Sequence, residues 1–516
     1  MNNIEWIKAV IELCIRIYDR NVEENKEQFW GLEQIYRNYS PDEKSKIEEI
    51  LFSQFESRDL IYVFSICEAF MKESVFAEYF YRAVMALEYQ DFTEGAVYEL
   101  QVTCMMGEAF NKRKMLHQKN AALVKQRYGI KKWIPIRERE KNRIVIVTEM
   151  LGGLRHAPTR IVLEFCHTLL KDYRYELVVF VCPTDKKLDL SQVYVLSTRT
   201  VISDTRMTNH QWNRLEYKNN EIPIKQISME YESCIDDYGN MFNFIYEYNP
   251  AFVLALGAIN PVFDYINTFT TLVEQTFTIN CPLSEASILI RNEKREEIIE
   301  KQYRELTVGQ QHIFLKHKLP VLYDTDDTGE TREDNGLPSD KFLVAIVGNR
   351  LDIEIDDEFI SVLKKILENN SDICLAIIGK VSGVKERLAE DIFKERVYYL
   401  GYKNSLFSVY KILNLYLNPK RLGGGWSAGI ALAASLPVVT LPNCDVASNV
   451  DSRFWVADYQ EMIDRVGRLA GDEEYYQETR RYILDNCQKV PEKEMKDYLY
   501  EYMDSIQMCL EKMSDK

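Results

Sequence analysis

The sequence predicts an α/β protein built from two tandem blocks of parallel strands and helices, preceded by an all-helical N-terminal domain. Three observations carry this expectation. Apolar residues up to about residue 130 recur at helical spacing, short β-branched runs alternate with helical stretches from residue 142 onward, and a second block starting at Phe342 repeats that alternation. Strands alternating with helices imply a parallel sheet, because parallel neighbours need a crossover and crossovers are right-handed. The expected division is 1–135 helical, 136–335 first α/β domain and 336–516 second α/β domain.

In the helical part, Ile4, Ile7, Ile11, Cys14 and Tyr18 follow a helical period. Ser40-Pro41-Asp42-Glu43 spells a helix start, with Ser at the N-cap, Pro at N1 and Glu at N3 closing a capping box. Ile47, Ile50, Leu51 and Phe55 then fall on one face, and two further apolar helical stretches cover 60–71 and 76–87. The segment shows no repeat of fixed length. Its many Tyr and Phe residues are expected to pack between helices rather than form a docking surface.

The first α/β block opens with the run Arg143–Thr148, a β-branched stretch suited to a buried parallel strand. A turn through Gly152-Gly153, a helix from Thr159 to Leu170 and the run Leu177–Cys182 complete a βαβ unit. Residues 185–245 are polar and unassigned, and a later strand at Ala251–Leu256 leads into Gly257-Ala258-Ile259-Asn260. The connector 319–340 contains Asp324-Thr325-Asp326, read as a solvated loop rather than a metal site because no clear strand precedes it. In the second block, strands are expected at Phe342–Val347, Ile373–Ile378, Val397–Leu400, Leu415–Leu417 and Val438–Leu441. Helical stretches lie between them, with Phe359, Val362, Leu363, Ile366 and Leu367 on the inner face of the first. Open parallel sheets place ligands at the carboxyl ends of their strands.

Composition narrows the function. A formal net charge of −16 over 516 residues sets nonspecific nucleic-acid binding aside. No apolar run reaches the ~18 residues of a spanning helix. Glu5, Lys8, Glu12 and Arg16 interrupt what would be the apolar core of a signal peptide. The 11 cysteines form no CxxC pair and do not cluster with the six histidines. Buried free thiols in a reducing compartment are expected, hence a cytoplasmic protein without structural zinc.

The sharpest segment is Asn418-Pro419-Lys420-Arg421-Leu422-Gly423-Gly424-Gly425-Trp426-Ser427, which joins a strand to a helix. The glycines allow close backbone approach, the helix start offers unpaired N–H groups and a positive dipole end, Ser427 adds a hydroxyl, and Lys420 and Arg421 add positive charge. That combination suits a diphosphate better than it suits a plain tight turn. Arg350 follows Gly348-Asn349 at the expected carboxyl edge of the same sheet, where a guanidinium can bridge phosphate oxygens. A surface pair with a nearby carboxylate such as Asp352 is its structural alternative.

VAIVGNRLD, VYYLGYKNSL, LYLNPKRLGGGWSAGIAL, LPVVTLPNCDVAS and FWVADYQEM occur in this order. Together they resemble the donor half of GT-B glycosyltransferases, two Rossmann-like domains facing a cleft, and especially bacterial capsule and surface-glycan transferases of the group 1, family 4-like type. The GGG-x-S loop followed by PVVTLP is also similar to the O-GlcNAc transferase family, and TEMLGGLRHAPTRIVLEF to the first strand, loop and helix of the bacterial group. A helical domain before such a pair is similar in layout to transferases that glycosylate adhesins. The resemblance implies that Asn349, Arg350, Lys420, Gly424, Gly425 and Ser427 meet the donor diphosphate, with Tyr402 beside the base. It implies Gly152, Gly153 and His156 near the transferred sugar or acceptor. His156 would serve as general base or as a loop histidine bonded to backbone. Asn260 and Asp264 could line the same region, helix capping being the better reading for both.

The chain also departs from the pattern. Two glutamates eight positions apart are usual around the loop of retaining members, and Leu422 and Ile430 stand there; Ile355 replaces a usual lysine. The expected function is a metal-independent hexosyl- or N-acetylhexosaminyltransferase that needs no cofactor. It would take a nucleotide-sugar donor, UDP-linked by preference, and a protein or glycan acceptor, with the helical domain open to a protein partner. The other reading is a non-catalytic GT-B partner of a glycoprotein or of an active transferase.

Overall fold

The computed structural model describes residues 1–18, 22–71, 73–89, 91–106, 109–149, 151, 157–182, 213–228, 231–257, 260–275, 277, 283–291, 309–322, 328–379, 381, 383–421, 423–442, 444–487 and 491–514. The N-terminal segment is helical: α1 (Asn3–Tyr18), α2 (Val22–Arg37), α3 (Pro41–Gln54), α4 (Ser57–Met71), α5 (Ser74–Ala86), α6 (Phe92–Met106) and α7 (Phe110–Tyr128). α3 opens on the capping box that its sequence spells. Ser40 Oγ accepts from the Glu43 N–H, and the Glu43 carboxylate accepts from the Ser40 N–H at 2.8 Å. The buried stripe of α1 is Trp6, Ile7, Val10, Leu13 and Cys14, while Ile4 is 57% exposed. Trp6 sets that face: its indole packs against Tyr36 and its N–H donates to the Leu32 carbonyl.

The first α/β region contains β1 (Glu140–Thr148), α8 (Ala157–Lys171), β2 (Glu176–Val181), β3 (Asn213–Tyr217), β4 (Asn220–Gln226), α9 (Tyr231–Tyr248), β5 (Pro250–Leu256), α10 (Pro261–Asp264), β6 (Leu272–Gln275), β7 (Ile288–Arg291) and β8 (Gln311–Phe314). Among the described residues they form a sheet ordered β3-β4-β2-β1-β5-β6-β7-β8, parallel except for the β3–β4 hairpin. That hairpin turns at Lys218-Asn219, both at positive φ, which matches the right-handed strand twist. The stretch left unassigned from sequence thus supplies an edge hairpin and α9.

The second region contains β9 (Phe342–Val347), α11 (Leu351–Glu354), α12 (Asp357–Asn369), β10 (Ile373–Ile378), α13 (Gly383–Arg387), β11 (Val397–Gly401), α14 (Leu406–Tyr410), β12 (Leu415–Leu417), α15 (Gly425–Ala433), β13 (Val438–Val439), α16 (Asp445–Asn449), α17 (Tyr459–Gly471), α18 (Glu473–Asn486) and α19 (Pro491–Ser514). Its described strands form a parallel sheet ordered β11-β10-β9-β12-β13. β9 and β10 are buried almost throughout, as the unbroken apolar runs FLVAIV and ICLAII require.

The chain divides into two compact units, 1–315 with 502–516, and 316–501. This differs from the three-domain division drawn from sequence. The helical segment joins the first sheet because Phe92 of α6 and Val124 of α7 sit in one buried cluster with Val145, Val147 and Phe242. The nine described cysteines are free thiols, eight of them buried. No described helix is long and apolar enough to cross a membrane.

Candidate active site

In the second unit the strand order reverses between β9 and β12, the strands that flank the topological switch point. Two loops leave the carboxyl ends there: Gly348-Asn349-Arg350 after β9, and the glycine loop after β12. Gly423 and Gly424 take φ of +96° and +83°, and Gly424 caps α15 in the left-handed conformation. The first N–H groups of α15 lack partners within the helix and face its N-terminal end.

Two arginines are packed under and against this loop. Arg421, 9% exposed, donates to Asn418 Oδ1 (2.8 Å), Glu354 Oε2 (2.7 Å), the Val347 carbonyl (2.7 Å) and Tyr416 Oη (2.9 Å). Burial opposes its charge, but the Tyr416 phenol and the Glu354 carboxylate more than offset this and raise its pKa above the ordinary value. Arg350, with 45% of its side chain exposed, pairs with Glu354 Oε1 at 2.9 Å. One carboxylate therefore holds a buried and a half-exposed guanidinium at once.

The glycines are where these side chains need room. A Cβ on Gly348 would stand 2.5 Å from Arg421 Nη1, one on Gly424 2.6 Å from Arg421 Nη2, and one on Gly423 2.6 Å from Arg350 Nη2. Gly424→Ala combines that clash with a positive φ and should lower stability by about 1–3 kcal/mol, read in a denaturant melt. An unchanged melt would show that Arg421 does not sit beneath the loop.

The remaining sequence-derived residues are placed as follows. Ser427 Oγ donates to the Gly424 carbonyl (2.7 Å) and meets Tyr416 Oη at 3.0 Å. Asp445 accepts from the Gly423 N–H at 2.7 Å. Gly425 closes against Asn449 and the Asp445 carbonyl, and Ile430 lies within α15. Asn349 and Lys420 are exposed, and Tyr402, half exposed, follows β11. Asp352 accepts from the Val384 N–H, and the nearby carboxylate of Glu354 pairs with Arg350. In the first unit Asn260 caps α10, accepting from the Val262 N–H at 3.0 Å, whereas Asp264 binds a histidine instead of capping. Gly152, Gly153, His156, Leu422 and Asp324-Thr325-Asp326 lie outside the described residues.

Sequence reasoning passed over Glu354 and Tyr416 and read Arg421 as positive charge offered to the loop's ligand, whereas it is buried on protein acceptors. The Arg350–Glu354 spacing of four residues was the available signal. The burial of Arg421 had none, because its partners come from three separate segments.

Residues 343–472 match the family model described as glycosyl transferases group 1. That stretch of the second unit is similar to the glycosyl transferases of group 1. Glycosyl transfer is therefore its reaction class, and the loop, Arg350 and Arg421 all lie inside the matched span. An O-GlcNAc transferase mutant of Thermobaculum terrenum aligns over 100% of this chain and 99% of its own, with a TM-score of 0.52 and 15% identity. The fold of the transferase is GT-B. HepE of Anabaena, solved with UDP and glucose, aligns over 70% of this chain and 99% of its own, with a TM-score of 0.45 and 12% identity. The pneumococcal O-GlcNAc transferase GtfA, solved with UDP and GlcNAc, aligns over 72% of this chain and 100% of its own, with a TM-score of 0.44 and 11% identity. No curated protein matches the sequence.

Proposed function

We propose that the protein moves a sugar from a UDP-sugar to a hydroxyl or amide of a protein or surface-glycan acceptor, without a metal ion. The observation that carries this reading is Arg350. Its guanidinium is half exposed, stands against Gly423 and follows β9 at the switch point of the group 1 domain. As the glycosidic bond breaks, charge builds on the leaving diphosphate. A guanidinium and the N-terminal end of α15 would stabilise that charge as a divalent cation does in other designs. Arg421 contributes fixed positive charge from below, its N–H groups engaged with protein acceptors.

The test is a calorimetric titration of the purified chain with UDP, GDP, ADP, CMP and dTDP, with and without EDTA. UDP should bind most tightly, with the same affinity in EDTA. Loss of binding in EDTA would end the metal-independent reading. Binding of none of the five would favour a non-catalytic GT-B partner protein.

A further inference from the structure

Glu354 lies one turn beyond Arg350 and holds two cations at once, Oε1 on Arg350 (2.9 Å) and Oε2 on Arg421 (2.7 Å). Its side chain is only 10% exposed, and that of Arg421 3%. Arg421 is tied in turn to Asn418 and Tyr416 of the β12 segment and to the Val347 carbonyl that ends β9. Arg350 is thus linked through one carboxylate to a guanidinium built into both strand ends.

We infer that Glu354 is a positioning residue that fixes the Arg350 guanidinium over the glycine loop, using buried Arg421 as its anchor. This rests on the reading of the loop as a diphosphate site. It predicts an effect opposite in sign to simple electrostatics. A carboxylate beside a phosphate site repels the ligand, so removing its charge would by itself tighten anion binding. If Glu354 aims Arg350, removing it weakens binding instead. An amide has a single oxygen and serves only one of the two guanidinium groups.

The experiment is a UDP titration of the full chain as wild type, Glu354→Gln, Arg350→Ala and the double variant, with a thermal melt of each. Glu354→Gln is expected to bind UDP about tenfold more weakly, the value of one charge-assisted hydrogen bond. In the Arg350→Ala background the same change should cause no further loss, only the tightening expected from removing a negative charge, because nothing is left to aim. Tighter binding by Glu354→Gln, or an equal loss in both backgrounds, would overturn the positioning role while leaving the donor site in place. Failure of the wild type to bind any nucleoside diphosphate would instead remove the donor reading and this inference with it. Should Glu354→Gln not fold, Glu354→Asp keeps the charge but shortens its reach. A smaller loss there is expected, and unchanged or tighter binding would overturn the proposal.

Discussion

Arg350→Ala should lower kcat by about 100- to 1,000-fold, the loss typical of removing one donor that stabilises developing negative charge. The fold should survive. The Arg350 side chain is 45% exposed, and when it is removed Glu354 keeps its pair with buried Arg421, so no charge is left buried without a partner. Steady-state rates on a UDP-sugar, read beside a melting curve, separate the two effects. A fall in kcat larger than the rise in KM would place Arg350 on the transition state rather than on bound donor. Near-wild-type turnover in a folded variant would remove Arg350 from the chemistry.

His117→Leu should destabilise the first unit by about 3–5 kcal/mol, because it strips the cation from a buried ionic cluster. His117 is 2% exposed. Its Nδ1 lies 2.6 Å from Glu99 of α6 and its Nε2 2.6 Å from Asp264 of α10. Both contacts need an N–H, so the ring is an imidazolium. Burial alone would lower its pKa, but the charges of Glu99 and Asp264 raise it well above 6.5. Asn120 donates to the other Glu99 oxygen, and Ser284 and the Glu285 N–H serve Asp264. Glu274 of β6 lies close by, and burial and the charge of Asp264 hold it protonated well above the usual carboxyl range.

The sign of the pH dependence follows. The folded state binds more protons at His117 than the unfolded state does, so its contribution is complete below 6.5 and fades as pH rises through the higher folded value. Glu274 acts in the same direction from about 4.5 upward. Denaturant melts of wild type and His117→Leu should therefore differ most at acidic to neutral pH and converge in alkali. A gap that widens with pH would contradict an imidazolium at this position.

Sequence and structure agree best where one local rule decides. The runs Phe342–Val347 and Ile373–Ile378 are strands at the expected bounds, since uninterrupted apolar stretches of this length between turn residues leave few alternatives. The four-residue strands β6, β7 and β8 carry too short a pattern to read alone. The glycine loop and Arg350 were legible because glycine spacing and a lone cation mark a strand end. Glu354 and Arg421 were not, because their meaning arises only when β9 and β12 lie side by side.

The histidine between two carboxylates has a further consequence for how the chain is handled. Cutting after α7, or grafting α1–α7 onto another sheet, would separate Glu99 and His117 from Asp264 and take Phe92 and Val124 out of a shared core. The helices and the first sheet should therefore unfold in a single calorimetric peak. The segment is no detachable cassette, and a truncated enzyme would expose an aggregation-prone seam rather than a clean catalytic fragment.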